Sequence, residues 1–128
     1  MKLEVGMFIR TPLGIDKIEC FNKENVIGYG FITKANHYLL WHKEDNKFSI
    51  DGECFEKEEI KTSHNIIDIV QVGDYVNGYK ITDIDCYEYE TELFYDTGDF
   101  INSFVEEQIK SIITKEQMEQ MVYKVVSE

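Results

Sequence analysis

Apolar side chains recur at every second position in short runs along most of the chain, and Gly, Asn, Asp or Pro punctuates the runs. A period of two is the signature of strands with one face turned to a core. In "VGDYVNGYKITDIDCY", residues 72–87, Asn77-Gly78 stands between Tyr75-Val76 and the alternating run Tyr79, Ile81, Ile84 and Cys86, which predicts a hairpin closed by a two-residue turn. "TELFYD" predicts the next strand, ended by a turn at Asp96-Thr97-Gly98-Asp99, and "FINSF" and "IKSII" supply two more β-prone runs. In the first half, Pro12-Leu13-Gly14 predicts a turn, with strands near 15–21, 26–33, 37–42 and 47–50. The period changes only towards the carboxyl end. There Thr114 with Gln117 has the form of a capping box opening a helix over "KEQMEQM", and "VYKVV" predicts a final strand.

The pattern is written twice. Val5-Gly6 answers Val72-Gly73, Phe8-Ile9 answers Tyr75-Val76, and, after one gap, Ile18-Glu19-Cys20-Phe21 answers Ile84-Asp85-Cys86-Tyr87. Further on, "FEKEEIKTS" (55–63) answers "FVEEQIKSI" (104–112). Each copy opens and closes alike, and the first is longer in the middle. Two copies imply a duplicated module rather than a solenoid. The expected units are residues 1–66 and 67–128, joined by a linker at Thr62-Ser63-His64-Asn65, and units this small are expected to lean on each other as one compact body.

The order apolar-Gly-x-aromatic-apolar, tight turn, Ile-rich strand and later Ile-Lys strand resembles SH3-like small barrels of the Tudor and KOW kind, once in each half. The resemblance implies a mainly β protein, a β-rich α+β chain of two tandem SH3-like barrels with a short carboxyl-terminal helix. Through "VGDYVNGYKI" and "IKSIITKEQME" the whole chain is also similar to small proteins encoded by phages and prophages of low-GC Gram-positive bacteria. That likeness implies a setting in the host-cell cytoplasm and no particular mechanism.

Charge sharpens the picture. The 128 residues carry a net charge of −12. Residues 1–67 hold 9 Lys or Arg against 11 Asp or Glu, and residues 68–128 hold 4 against 14, so the second half is the acidic one. Such a field repels phosphate backbones, which argues against direct nucleic-acid binding, and attracts basic partners. No apolar run approaches the roughly 18 residues of a membrane span or forms a signal peptide, so a soluble intracellular protein is expected. Cys20, Cys54 and Cys86 are odd in number and widely spaced, which points to reduced and mostly buried thiols, with Cys20 and Cys86 as duplicated core positions.

Signatures of catalysis and cofactor binding are weak. "LFYDTGDF" offers the Asp-Thr-Gly of retroviral-type aspartic proteases, but no glycine follows Gly98 to make a flap, and D-T-G is also ordinary turn chemistry. His37 and His42 are five apart and fall on opposite faces of a strand, which argues against one shared metal; His64 lies in the expected linker. Gly28-Tyr29-Gly30 lacks the third glycine and following helix of a phosphate-binding turn and is expected to be a bend or hairpin feature. No twelve-residue calcium loop is present. No enzyme, cofactor or metal is therefore expected.

The coherent feature is the run from Asp83 to Asp99, with seven acidic residues and no basic one. On strands, Asp83 and Asp85 would share one face, and Glu88, Glu90 and Glu92 another, opposite Tyr89 and Thr91. Tyr75, Tyr79, Tyr87, Tyr89, Phe94, Tyr95 and Phe100 exceed what a small core needs, so some are expected at the surface, where tyrosine favours interfaces. A solvated barrel face is the bland explanation of the carboxylates. The sharper expectation is a partner-binding surface made of Asp85, Tyr87, Glu88, Tyr89, Glu90 and Glu92 that docks on a basic host protein, such as a nucleic-acid-handling or defence protein that it inhibits. A pocket sequestering a nucleotide signal, and a structural phage component that forms homo-oligomers through strand edges, are the alternatives.

Overall fold

The computed structural model describes residues 3–121, which leaves the strand expected at "VYKVV" outside the described residues. The protein is mainly β; among the described residues there are two sheets and one short helix, and the chain divides into two compact barrel-like units between Ile69 and Val70. No helix among the described residues is long and apolar enough to cross a membrane.

The first unit contains β1 (Phe8–Thr11), β2 (Gly14–Glu24), β3 (Gly28–Thr33), β4 (Tyr38–His42), β5 (Phe48–Ile50), β6 (Glu53–Phe55) and β7 (Lys61–Ser63). The first six form an antiparallel meander. A 3-10 turn at Lys57–Glu59 follows, and β7 returns to pair with β1, giving the order β6-β5-β4-β3-β2-β1-β7. Leu3, Ile9, Ile18, Phe31, Leu39, Phe48, Ile50, Phe55 and Ile60 are buried as one cluster, with Met7, Tyr29 and Trp41 packed against it. Burial of each such aliphatic side chain is worth about 2 kcal/mol, and this drives the meander to close. Gly28 and Gly30, expected at a bend or hairpin, lie at the start of β3 just after the β2–β3 hairpin turn, where the Asn25 N–H donates to the Gly28 carbonyl. A Cβ on Gly28 would sit 1.9 Å from the Trp41 carbonyl oxygen, and one on Gly30 would sit 2.3 Å from the Tyr38 hydroxyl, so close cross-strand approach explains both glycines.

Among the described residues the second unit repeats the plan with two strands fewer: β8 (Tyr75–Val76), β9 (Tyr79–Cys86), β10 (Thr91–Asp96), β11 (Ile101–Phe104), a 3-10 turn at Glu106–Gln108, and β12 (Ile112–Ile113) returning to β8, in the order β11-β10-β9-β8-β12. Helix α1 (Lys115–Met121) follows. Its capping box forms as expected: Thr114 Oγ1 accepts the Gln117 N–H and Gln117 Oε1 accepts the Thr114 N–H. The fully buried side chain of Asp74 clamps the start of this helix, its two carboxylate oxygens accepting the backbone N–H groups of Gln71 and Lys115 at 2.7 and 2.9 Å.

Hydrogen bonds locate the echo between the units. Gly6 and Gly73 both adopt left-handed φ (94° and 100°), open to glycine at little cost, and their N–H groups donate to the carbonyls of Ile18 and Ile81. The 3-10 turns also match: Glu59 caps the Glu56 N–H and Gln108 caps the Val105 N–H. The counterpart of Ile18 is thus Ile81, both fully buried, and not Ile84, which is only half-buried. The four-residue difference between the opening hairpins accounts for the shift. Cys20 and Cys86 are accordingly not equivalent core positions, and all three thiols are exposed. Cys20 lies where β2 runs on past the core, Cys54 is on the edge strand β6, and Cys86 ends β9.

Thr62 and Ser63, expected in a linker, belong to β7. The 3-10 turn at Ile66–Ile69 then extends the first unit, burying Ile67 and Ile69; Ser63 Oγ donates to Asp68, and Arg10 Nη1 donates to the Ile69 carbonyl at 3.0 Å.

Candidate functional site

The acidic residues gather on one hairpin of the second unit. β9 and β10 pair with Asp85 opposite Glu92, Asp83 opposite Phe94 and Ile84 opposite Leu93. Residues directly opposite share a face, so Asp83, Asp85, Glu92, Phe94 and Asp96 line the outer face, and the neighbouring β11 adds Ile101 and Ser103 through the pairs Asp96–Ile101 and Phe94–Ser103. The other face holds Ile81, Leu93, Tyr95 and Phe104, all buried. A bulge at Thr82 and Asp83, opposite Phe94, keeps both periodicities on their proper sides.

Glu88, Tyr89 and Glu90 do not continue this face. The chain turns between β9 and β10, with the Tyr87 N–H donating to the Glu90 carbonyl at 2.7 Å. The expected ladder of Glu88, Glu90 and Glu92 on one strand is therefore corrected: Glu88 and Glu90 belong to the hairpin turn, and Glu92 alone is on a strand, where Ser103 Oγ donates to its Oε2 at 2.8 Å. All six residues singled out from the sequence nevertheless come together, because Asp85 and Glu92 form the last acidic cross-strand pair before the turn that carries the other four. Tyr89 is 92% exposed and Tyr87 54%. Desolvation, with the carboxylates of Glu92, Asp85 and Glu90, pushes the Tyr87 phenol above its ordinary pKa.

The remaining aromatics divide. Tyr79, Tyr95 and Phe104 cluster, with Tyr95 and Phe104 stacked 4.4 Å apart between centroids and Tyr79 tilted against both, whereas Phe100, with the aliphatic Ile101 next to it, is exposed beside the β10–β11 turn, at 60% and 69%. Phe100 and Ile101 were not among the residues expected at the site; the signal that could have found them is their position just after the D-T-G turn, at the start of an edge strand. Asp96-Thr97-Gly98 is that turn, with Asp96 Oδ1 accepting the Gly98 N–H and the Thr97 N–H donating to the Phe100 carbonyl.

In the first unit the histidines face separate partners. His37 Nδ1 pairs with Asp51, His42 Nε2 meets Ser49 Oγ at 3.3 Å, and His64 Nε2 meets Glu4 at 3.0 Å. Among the described residues no group of three His, Cys, Asp or Glu side chains is placed to hold a metal ion.

Comparison with known protein families, with curated proteins and with solved structures finds no match for the chain.

Proposed function

We propose that this protein is a non-enzymatic binding protein whose acidic, tyrosine-tipped β9–β10 hairpin docks on a basic surface of another protein. The observation behind the reading is the convergence of Asp85, Glu90 and Glu92 around Tyr87, with Tyr89 standing almost wholly in solvent beyond them. Carboxylates steer a basic partner into place, and the tyrosines supply contact area at low entropic cost. The sequence likeness to phage and prophage proteins suggests the partner class: a host protein, with a nucleic-acid-handling or defence protein fitting best, since its basic surface is what a carboxylate array would cover. Inhibition by occupying that surface, in the host-cell cytoplasm, is the mode proposed.

The test is capture of a partner from host lysate, followed by titration with Glu88, Glu90 and Glu92 replaced together by Gln, and separately with Tyr89→Ala. The charge variant is expected to lose at least tenfold in affinity, mostly at low salt, and the tyrosine variant to lose affinity at all salt concentrations. Unchanged affinity in both would exclude the hairpin as the docking site.

A second reading has one observation in its favour. An open groove of about 600 Å³ in the second unit is lined by Gly73, Tyr75, Lys80, Lys115, Glu116, Met118 and Glu119, where two of that unit's few lysines stand beside an aromatic ring. A small anionic ligand such as a nucleotide would be recognised there, and its binding would survive the Gln substitutions.

A further inference from the structure

We propose that β11 accepts an added strand from the partner, an extended segment in which basic and apolar residues alternate; this rests on the docking reading and specifies the backbone geometry of the contact. β11 ends its sheet, and among the described residues no strand pairs with its outer edge. Its register fixes which groups face outward. The Thr97–Phe100 hydrogen bond closes the turn, so the next opposed pair, Asp96–Ile101, is non-bonded, Tyr95–Asn102 is bonded, and Phe94–Ser103 is non-bonded. The N–H and C=O of Ile101 and Ser103 therefore point away from β10. The Ser103 N–H lies 2.9 Å from Oδ1 of Asn102, a local contact that an incoming carbonyl can replace.

Edge strands are normally blunted by shortness, lysine, proline or a bulge, and β11, at four residues, is short enough to be left open only to a short added segment. "INSF" has no lysine, proline or bulge, and Phe100 and Ile101 are left exposed at its start. Its surroundings select the occupant. Residues 81–109 contain nine Asp or Glu and no Lys, Arg or His. A second copy of β11 would bring the same carboxylates together, whereas a basic segment neutralises them. On an added strand, alternate side chains would lie beside Ile101 and Ser103, on the face that carries Asp83, Asp85, Glu92 and Asp96, and the others would lie beside Asn102 and Phe104, next to the Tyr79–Tyr95–Phe104 cluster. Main-chain hydrogen bonds then give affinity, and the two-sided surroundings give the basic-apolar pattern its specificity.

The test uses the full chain and three capped octapeptides: alternating Lys and Val, alternating Lys and Pro, and alternating Glu and Val. The Lys-Val peptide is expected to bind at least tenfold more tightly than either of the others and to slow amide exchange at Ile101 and Ser103. Ile101→Pro removes an outward donor while leaving the bonds to β10 in place, and should reduce Lys-Val binding at least fivefold with the thermal transition unchanged; full binding by this variant would overturn strand addition. Equal binding of the Lys-Val and Lys-Pro peptides would overturn strand addition while leaving acidic docking intact. Failure of the Lys-Val peptide to bind at millimolar concentration would likewise overturn strand addition, and the docking reading would then stand or fall on the captured partner and the Gln variants.

Discussion

Tyr87 reports the field of the carboxylates around it. Desolvation and then Glu92, Asp85 and Glu90 hold its phenol above the ordinary value, so Glu92→Gln, which keeps an oxygen to accept from Ser103, should lower the pKa of Tyr87. The ring-carbon NMR shift of Tyr87 followed from pH 8 to 12 measures this, and an unmoved midpoint would mean that the carboxylates are too well solvated to act together. In the first unit Asp51 shows the opposite shift: the Tyr38 backbone N–H and then the His37 ring hold its carboxyl below its ordinary value of 3.8. A depressed pKa contributes stability that is present above the ordinary value and is lost as pH falls through the folded one. Asp51→Asn should therefore lower the urea midpoint at pH 6, and the gap from the natural protein should narrow as pH falls below the ordinary carboxyl value and close once it has passed the lowered folded-state value. Residue types at the candidate site were legible in the sequence, but their geometry was not. "YEYE" alternates through the turn as it would along a strand, and only the Tyr87–Glu90 hydrogen bond separates the two cases.

Strands with strong punctuation were legible as elements. Thr91–Asp96 coincides with "TELFYD", and Asn77-Gly78 makes the expected tight turn with positive φ at both residues (53° and 86°). Short elements were not: β6, β7 and the 3-10 turns span three or four residues each, too few for a period to register, although the matched phrases "FEKEEIK" and "FVEEQIK" marked two of those turns as equivalent. The role of Asp74 was also hidden, because its two acceptors reach Gln71 and, 41 residues away, Lys115. It fastens the start of α1 to the beginning of the second unit. None of the residues described in α1 is buried, so little packing holds it and its order depends on such fastening. Asp74→Ala should leave two N–H groups without this acceptor and cost about 2 kcal/mol, seen as a lower urea midpoint. Amide exchange should rise first in α1; if α1 exchanges no faster than in the natural protein, the clamp is not what orders it.

For the whole molecule, duplication and charge part company. The two units share a returning last strand, a capped 3-10 turn and a left-handed opening glycine, yet residues 68–128 hold a net charge of −10 against −2 for residues 1–67. A fold alone gives no reason for such an excess in one copy. Like charges directly opposed across a strand pair oppose folding, and Asp85 faces Glu92 in this way. A surface maintained only for solubility would not need carboxylates in that register, whereas a surface kept for docking would retain them at some loss of stability. The two cases make opposite demands on one variant. Glu92→Gln should stabilise the second unit by about 0.5 kcal/mol at low salt, with the gain fading in 0.5 M salt as screening removes the repulsion, while the same change weakens partner binding. Urea unfolding at both salt concentrations, set beside the binding titration, measures both effects. A variant that loses stability at low salt would show that the Asp85–Glu92 pair serves the fold, and the case for the acidic hairpin as the working surface would lose its energetic support.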